Sequence, residues 1–441
     1  MVLNSRAGGL WLFGLLACLS GSSALGDQPT GDNIVLFNGR DLSGWHGMES
    51  MDPRELLALS DEERAKLEQQ FADDLHQHWR VEQGVIVNDG RGPYLTTNED
   101  YDDYELWIDF QIRPKGDSGI YLRATPQVQI WDFTEAAGYW KLGADKGSGG
   151  LWNNSPDSPG RDPAQRADNP VGQWNRFRIR QVGEQTSVWL NDQLVVDRAR
   201  MENYWDRDLP IARRGPIQLQ THGGETRWRN IAIRAIPPTE ANTLLRAEEP
   251  DDVLVLFDGR SLESWSGAVD SYHVRDGALM CRAGTGGNLY TEDVYDDFIA
   301  RLEFKLPPAG NNGLAIRYPG DGNAAYQGMC ELQVLDSEHP KYASLDPRQY
   351  HGSAYGMVAA ARGYLRPTGQ WNYQQVTVTG SRVKVELNGF TILDADLSQV
   401  TDFMGDTPHP GKDRKQGHFG FAGHGDPVAF RGITIEPLTA P

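Results

Sequence analysis

The chain has 441 residues and a formal net charge of −19 at pH 7, which leaves room for two domains with substantial cores and excludes the basic stripe a nucleic-acid surface needs. The Lys/Arg runs that hold anionic membranes are missing as well. With 39% hydrophobic residues, 13 Trp, 16 Tyr and 49 Gly, the composition fits an exported all-β protein of short strands and tight turns.

At the N-terminus Arg6 precedes the apolar stretch Leu10 to Leu19, too short to span a bilayer and readable as the hydrophobic part of an export signal over residues 1–26. Two endings are open. Leu15-Leu16-Ala17-Cys18 resembles a lipoprotein box that would lipidate Cys18, with the Gly/Ser-rich run behind it as a tether, while Ser22-Ser23-Ala24 offers an ordinary cleavage site. Either places the protein in the periplasm or outside the cell. No other segment has the length and apolarity of a transmembrane helix.

The rest says nearly the same thing twice. Leu36-Phe37-Asn38-Gly39-Arg40 returns as Leu256-Phe257-Asp258-Gly259-Arg260, Ser118-Gly119-Ile120-Tyr121-Leu122-Arg123 answers to Asn312-Gly313-Leu314-Ala315-Ile316-Arg317, and Gly172-Gln173-Trp174-Asn175 to Gly369-Gln370-Trp371-Asn372. A period of this length is a duplicated domain. The first unit is read as 32–236, a polar linker as 237–251 and the second unit as 252–437. An inserted helix is predicted from Pro53 to Leu75 in the first unit, because Ser60 and Glu63 have capping-box spacing and Leu67, Phe71 and Leu75 recur every four residues. Its expected role is a cover over one end of the fold.

Elsewhere the pattern alternates with period two, as in Glu105 to Ile112 and Val376 to Thr379, which marks strands with one buried face. Successive antiparallel strands without intervening helices predict a two-sheet β-sandwich in each half. Cys281 and Cys330 sit in apolar strand-like runs and are expected as free buried thiols rather than a disulfide.

Alternation also assigns faces. In Cys330 to Asp336, Leu332 and Val334 turn inward while Glu331 and Gln333 turn out; Gln127 and Gln129 are their first-unit counterparts, followed by Asp132 where the second unit has Asp336. Gln220 and His222 oppose Leu219, His424 opposes Phe421, and Arg123 and Arg317 are read onto the same outer face. A polar sheet face bordered by Trp and Tyr suits a sugar, whose hydroxyls need paired donors and acceptors and whose C–H faces stack on rings. Water alone would also explain polarity, but not the same residue types recurring at matching positions. The long loops 133–171 and 337–368 are expected to wall the sites, bringing in Trp152, His351 and Tyr355.

The segments LFNGRDLSGW, SGIYLR with NGLAIR, PQVQIWD with CELQVLD, the GQWN turn and the closing THG and GHG strands together resemble the family of 3-keto-disaccharide hydrolase domains, along most of both repeats. The resemblance implies an exported pair of concanavalin A-like jelly-roll sandwiches. It also implies cleavage of glycosides whose C3 hydroxyl has already become a ketone, hence work downstream of a separate sugar 3-dehydrogenase. Such a ketone acidifies the C2 proton, so that one base and one oxyanion stabiliser suffice. On that basis Glu331 or His424 is the expected base, Arg317 and Gln333 hold the keto oxygen, and His351 and Tyr355 approach the leaving group. The first repeat offers Arg123, Gln127, Gln129, His222 and Trp152, with His222 or Asp132 left as base and sugar binding as the expected role. No cofactor is evident. A divalent metal in place of the Arg stays open, although the ten His show no metal-ligand spacing. The rival readings are a tandem lectin-like module and a conventional glycosidase; the latter needs carboxylate pairs that the Glu331 strand lacks.

Overall fold

The computed structural model describes residues 33–247 and 249–438; the export signal and Cys18 lie outside them. Each half is a sandwich of two antiparallel sheets, one of eight strands and one of five. In the first half the small sheet runs Trp45–Met48, Tyr94–Thr97, Gln218–Leu219, Asp117–Leu122, Thr125–Trp131. In the second it runs Trp265–Gly267, Gly287–Thr291, His418–Gly423, Asn311–Tyr318, Cys330–Leu335, strand for strand the same order. Both halves are concanavalin A-like jelly rolls.

Alternation builds the cores. Leu95, Ile120, Val128, Ile130 and Leu219 in the first half, and Leu289, Leu314, Leu332, Val334 and Phe421 in the second, point inward at 0% exposure. Burying each such side chain contributes about 1.5–3 kcal/mol. Cys281 and Cys330 are free and buried.

The insertion is two helices, α1 (Pro53–Ala58) and α2 (Asp61–His78). Ser60 and Glu63 form a reciprocal capping box at the start of α2, and buried Phe71 and Leu75 pack it against Gly47 in the outermost strand of the small sheet. Among the described residues no helix is long and apolar enough to cross a membrane.

The segment read as a polar linker is itself a helix, α3 (Pro238–Arg246), with Pro at its first position. Its apolar side, Ala241 and Leu245, packs with Val182 and Ile236 of the first half and Tyr373 of the second. Polar composition misled here because only one face of a short wedge needs to be apolar. Around it, Arg366 donates to Asn242 Oδ1, the Thr391 backbone N–H donates to Glu184 Oε2 at 3.1 Å, and Gly183 lies against Gly389 so closely that a side chain on Gly183 would strike backbone. Residues 33–438 therefore pack as a single compact unit.

Candidate active site

The outer face of each small sheet gathers the same kinds of side chain. In the second repeat Gly313 pairs with Gln333 and Ala315 with Glu331, while Gly313 pairs on its other side with Ala422. Gly313 makes room for the site: the Glu331 side chain lies across it, and a Cβ there would push the carboxylate from this position. His424, just past the end of its strand, turns Nε2 to Glu331 Oε1 at 3.4 Å. The hydrogen bond to Glu331 holds the imidazole above its ordinary pKa, against the opposing effect of burial. Gln333 Nε2 donates to Asn311 Oδ1 at 3.1 Å.

Two tyrosines border this pair. The Tyr355 backbone N–H donates to Glu331 O at 2.9 Å, because loop 352–355 adds itself as an extra strand beside Glu331 and Gln333. Tyr326 stands on the short helix α4 (Ala324–Gln327), whose Ala324 rests on Ala315, Tyr318 and Ala422 of the sheet face. Burial, then the nearby Tyr355 and Glu331, raise the Tyr326 phenol pKa.

The first repeat carries the same arrangement with its charge moved. Gln127 occupies the place of Glu331 and lies across Gly119, as Glu331 lies across Gly313. Its carboxylate is Asp117 instead, one strand over, in the position of Asn311. Asp117 Oδ2 is 3.3 Å from His222 Nδ1, and its Oδ1 accepts from Gln129 Nε2 at 2.8 Å. Burial raises the Asp117 pKa, with His222 opposing. Gln127 Nε2 donates to Gln129 Oε1, and Gln220 Nε2 reaches the hydroxyls of Tyr94 and Tyr121 at 3.5 and 3.4 Å. The amide oxygens of Gln127 and Gln220 are buried with no donor among the described residues. Such acceptors cost about 1–3 kcal/mol each until a donor arrives.

Six side chains named from the sequence lie elsewhere. Arg317, at an irregularity near the end of its strand, and Arg123, just past the end of its own, have φ of 46° and 53°, so the alternation that assigns them fails there and both turn away from the outer face. Arg317 is 1% exposed, pairs with Asp297 at 2.7 Å and donates to the carbonyls of Asp296, Gly380 and Arg414. Arg123 is fully buried on Asp103 and the carbonyls of Asp102 and Gly183. Asp336 and Asp132 clamp turns, accepting from the N–H groups of Ala309 and Lys115, each at 2.8 Å. His351 is a core residue stacked on Phe304; burial pushes its pKa down to about 3, and its Nδ1 accepts from the Leu335 N–H. Trp152 belongs to the loop, edge-on to Trp131 with its N–H on Leu142 O. Among the described residues no three His, Cys, Asp or Glu side chains converge as a metal site would require.

Asp117, Asn311 and Tyr326 escaped the sequence reading. Asp117 and Asn311 open their strands directly after a turn, where no preceding residue establishes the alternation. Tyr326 sits on a four-residue helix with no periodic signal.

Comparison with known proteins agrees with the duplication. The family described as the 3-keto-alpha-glucoside-1,2-lyase-like domain matches residues 32–234 and again 252–436. A 3-keto-disaccharide hydrolase of Bacteroides thetaiotaomicron is 24% identical over 246 residues, covering 46% of this chain and 85% of that protein. Two solved structures of candidate glycosyl hydrolases from Parabacteroides distasonis ATCC 8503 are 25% and 26% identical; each covers 43% of this chain, with 100% and 85% of their own chains covered and TM-scores of 0.39 and 0.35. The chain thus belongs to the family of 3-keto-alpha-glucoside-1,2-lyase-like domains, which it matches twice in tandem.

Proposed function

We propose that this protein is an exported carbohydrate-active enzyme that cleaves the glycosidic bond of 3-keto-glycosides in its second repeat, after a separate oxidoreductase has installed the ketone. The observation that carries the reading is the Glu331–His424 pair, 3.4 Å apart on the outer sheet face beside Gln333. Glu331, 5% exposed, is the base that takes the C2 proton. The C–H electrons pass toward the C3 ketone, and Gln333 with the Tyr326 hydroxyl stabilises the oxyanion in place of the buried Arg317. The C1–O bond then breaks as the C1–C2 double bond forms, and the protonated His424 gives its proton to the departing oxygen. Addition of water across that double bond completes a net hydrolysis.

Conventional hydrolysis needs two carboxylates about 5–10 Å apart around one bond, whereas in the strand Cys330–Leu335 Glu331 is followed by the amide Gln333, which supports the elimination chemistry. Incubating the purified protein with methyl 3-keto-α-glucoside and with methyl α-glucoside decides the matter. Turnover of the ketone alone is the expected result. Turnover of both would make the protein an ordinary glycosidase, and binding of both without turnover a lectin.

A further inference from the structure

The long loop of the first repeat does more than wall the sheet face. Between residues 140 and 162 it encloses an open cavity of about 380 Å³ whose walls include Trp140 and Trp152. Both indoles are fixed: Trp140 Nε1 donates to Phe133 O at 2.9 Å and Trp152 Nε1 to Leu142 O at 3.0 Å. What Trp140 offers is therefore ring surface rather than its N–H, and it is 45% exposed, while the Arg161 guanidinium lies over the Trp152 ring at 5.5 Å. A large indole left that open in a concave site is not explained by the core.

The remaining walls are charged with both signs, Lys141, Lys146 and Arg161 against Asp145 and Asp162, with Lys146 and Arg161 both paired to Asp162. Such a lining repels an ammonium group and offers a phosphate only one uncompensated positive charge. It does supply both donors and acceptors at the rim of an aromatic floor, which is what the hydroxyls and C–H face of a neutral sugar ring require. The cavity also adjoins the Asp117 face, for Tyr139, the residue before Trp140, donates to Lys115 O and has its phenol pKa raised by burial and then by Asp117. In the second repeat the corresponding loop instead closes on itself, packing Tyr342 and Tyr350 around Leu335.

We propose that this cavity is a sugar-binding subsite for an unoxidised, neutral hexose unit, stacked on Trp140 against the wall made by Trp152 and Arg161, that holds a glycan beside the Asp117–His222 face of the first repeat. Its ligand carries no ketone, so it stands or falls independently of the chemistry assigned to Glu331.

Tryptophan emission of the full chain titrated with maltose and with cellobiose tests it. At least one of the two should give a saturable change, with the dissociation constant about tenfold higher in Trp140→Ala and in Trp152→Ala. The solvent-exposed Trp140 can be removed without unfolding, so an unchanged melting temperature in Trp140→Ala validates that comparison. No saturable change with either sugar, or the same affinity in Trp140→Ala as in the parent, overturns the proposal. Loss of turnover on a 3-keto-glucoside is read in a separate assay and does not bear on the outcome.

Discussion

The Nε2 of His424 lies 3.4 Å from Oε1 of Glu331, so acid and base of the proposed reaction already touch. Replacing Glu331 with Gln keeps the shape and removes the base. Turnover of a 3-keto-glucoside should fall about 10²–10⁴-fold, the usual weight of a positioned proton-transfer group, with a much smaller change in KM. Undiminished turnover in Glu331→Gln would take the base assignment away.

The same contact has a signature in pH. Because Glu331 raises the His424 pKa above 6.5 in the folded protein, the pair stabilises the fold fully below the unfolded value, and that contribution is lost as pH rises through the folded value. His424→Gln should therefore lower the melting temperature at pH 5.5 and leave it unchanged at pH 9. The His424 ring signals in NMR should titrate above the ordinary histidine range, and return toward it in Glu331→Gln.

Alternation within a strand was legible wherever the strand was long enough to show it. Glu331, Gln333 and His424, like Gln127, Gln129, Gln220 and His222, point outward because Leu332, Phe421, Val128 and Leu219 must point in. It fails at Arg123 and Arg317, where a positive φ breaks the alternation at or near the strand end and carries the side chain away from the face. Nothing in the sequence marks that break, since non-Gly residues seldom adopt it. Loop residues were the least legible. His351 and Trp152 have no period to place them, and only the fold shows one in the core and the other beside a cavity. Asp117 is hidden because it stands on the strand neighbouring Gln127 and not at the position that matches Glu331.

Arg317 makes the clearest separation between the sequence-based role and the structural one. Buried on Asp297 and three backbone carbonyls, it anchors the strand end. Its replacement by Met leaves Asp297, 24% exposed, with the Gly380 N–H but no cation, and strips three carbonyls of their donor, which costs about 1–3 kcal/mol. Urea denaturation should show that loss directly. An Arg317→Met protein of normal stability but reduced turnover would instead return the residue to the chemistry.

Asp117 ends the comparison of the two repeats with an opposite expectation. Burial raises its pKa, so the folded state binds the proton more tightly than the unfolded chain. Its contribution favours folding at acid pH and is lost as pH rises through the folded value, leaving a charge held in place at neutral pH by His222, Gln129 and the Ser118 backbone N–H. Asp117→Asn keeps an acceptor for Gln129 and discards the charge. The variant should melt higher than the parent at pH 7, by about 1–3 °C for a protein of this size, and no higher at pH 3. A lower melting temperature at pH 7 would mean that the His222 ion pair outweighs the cost of burial, and that the first repeat gains stability from the same pair that gives it a site.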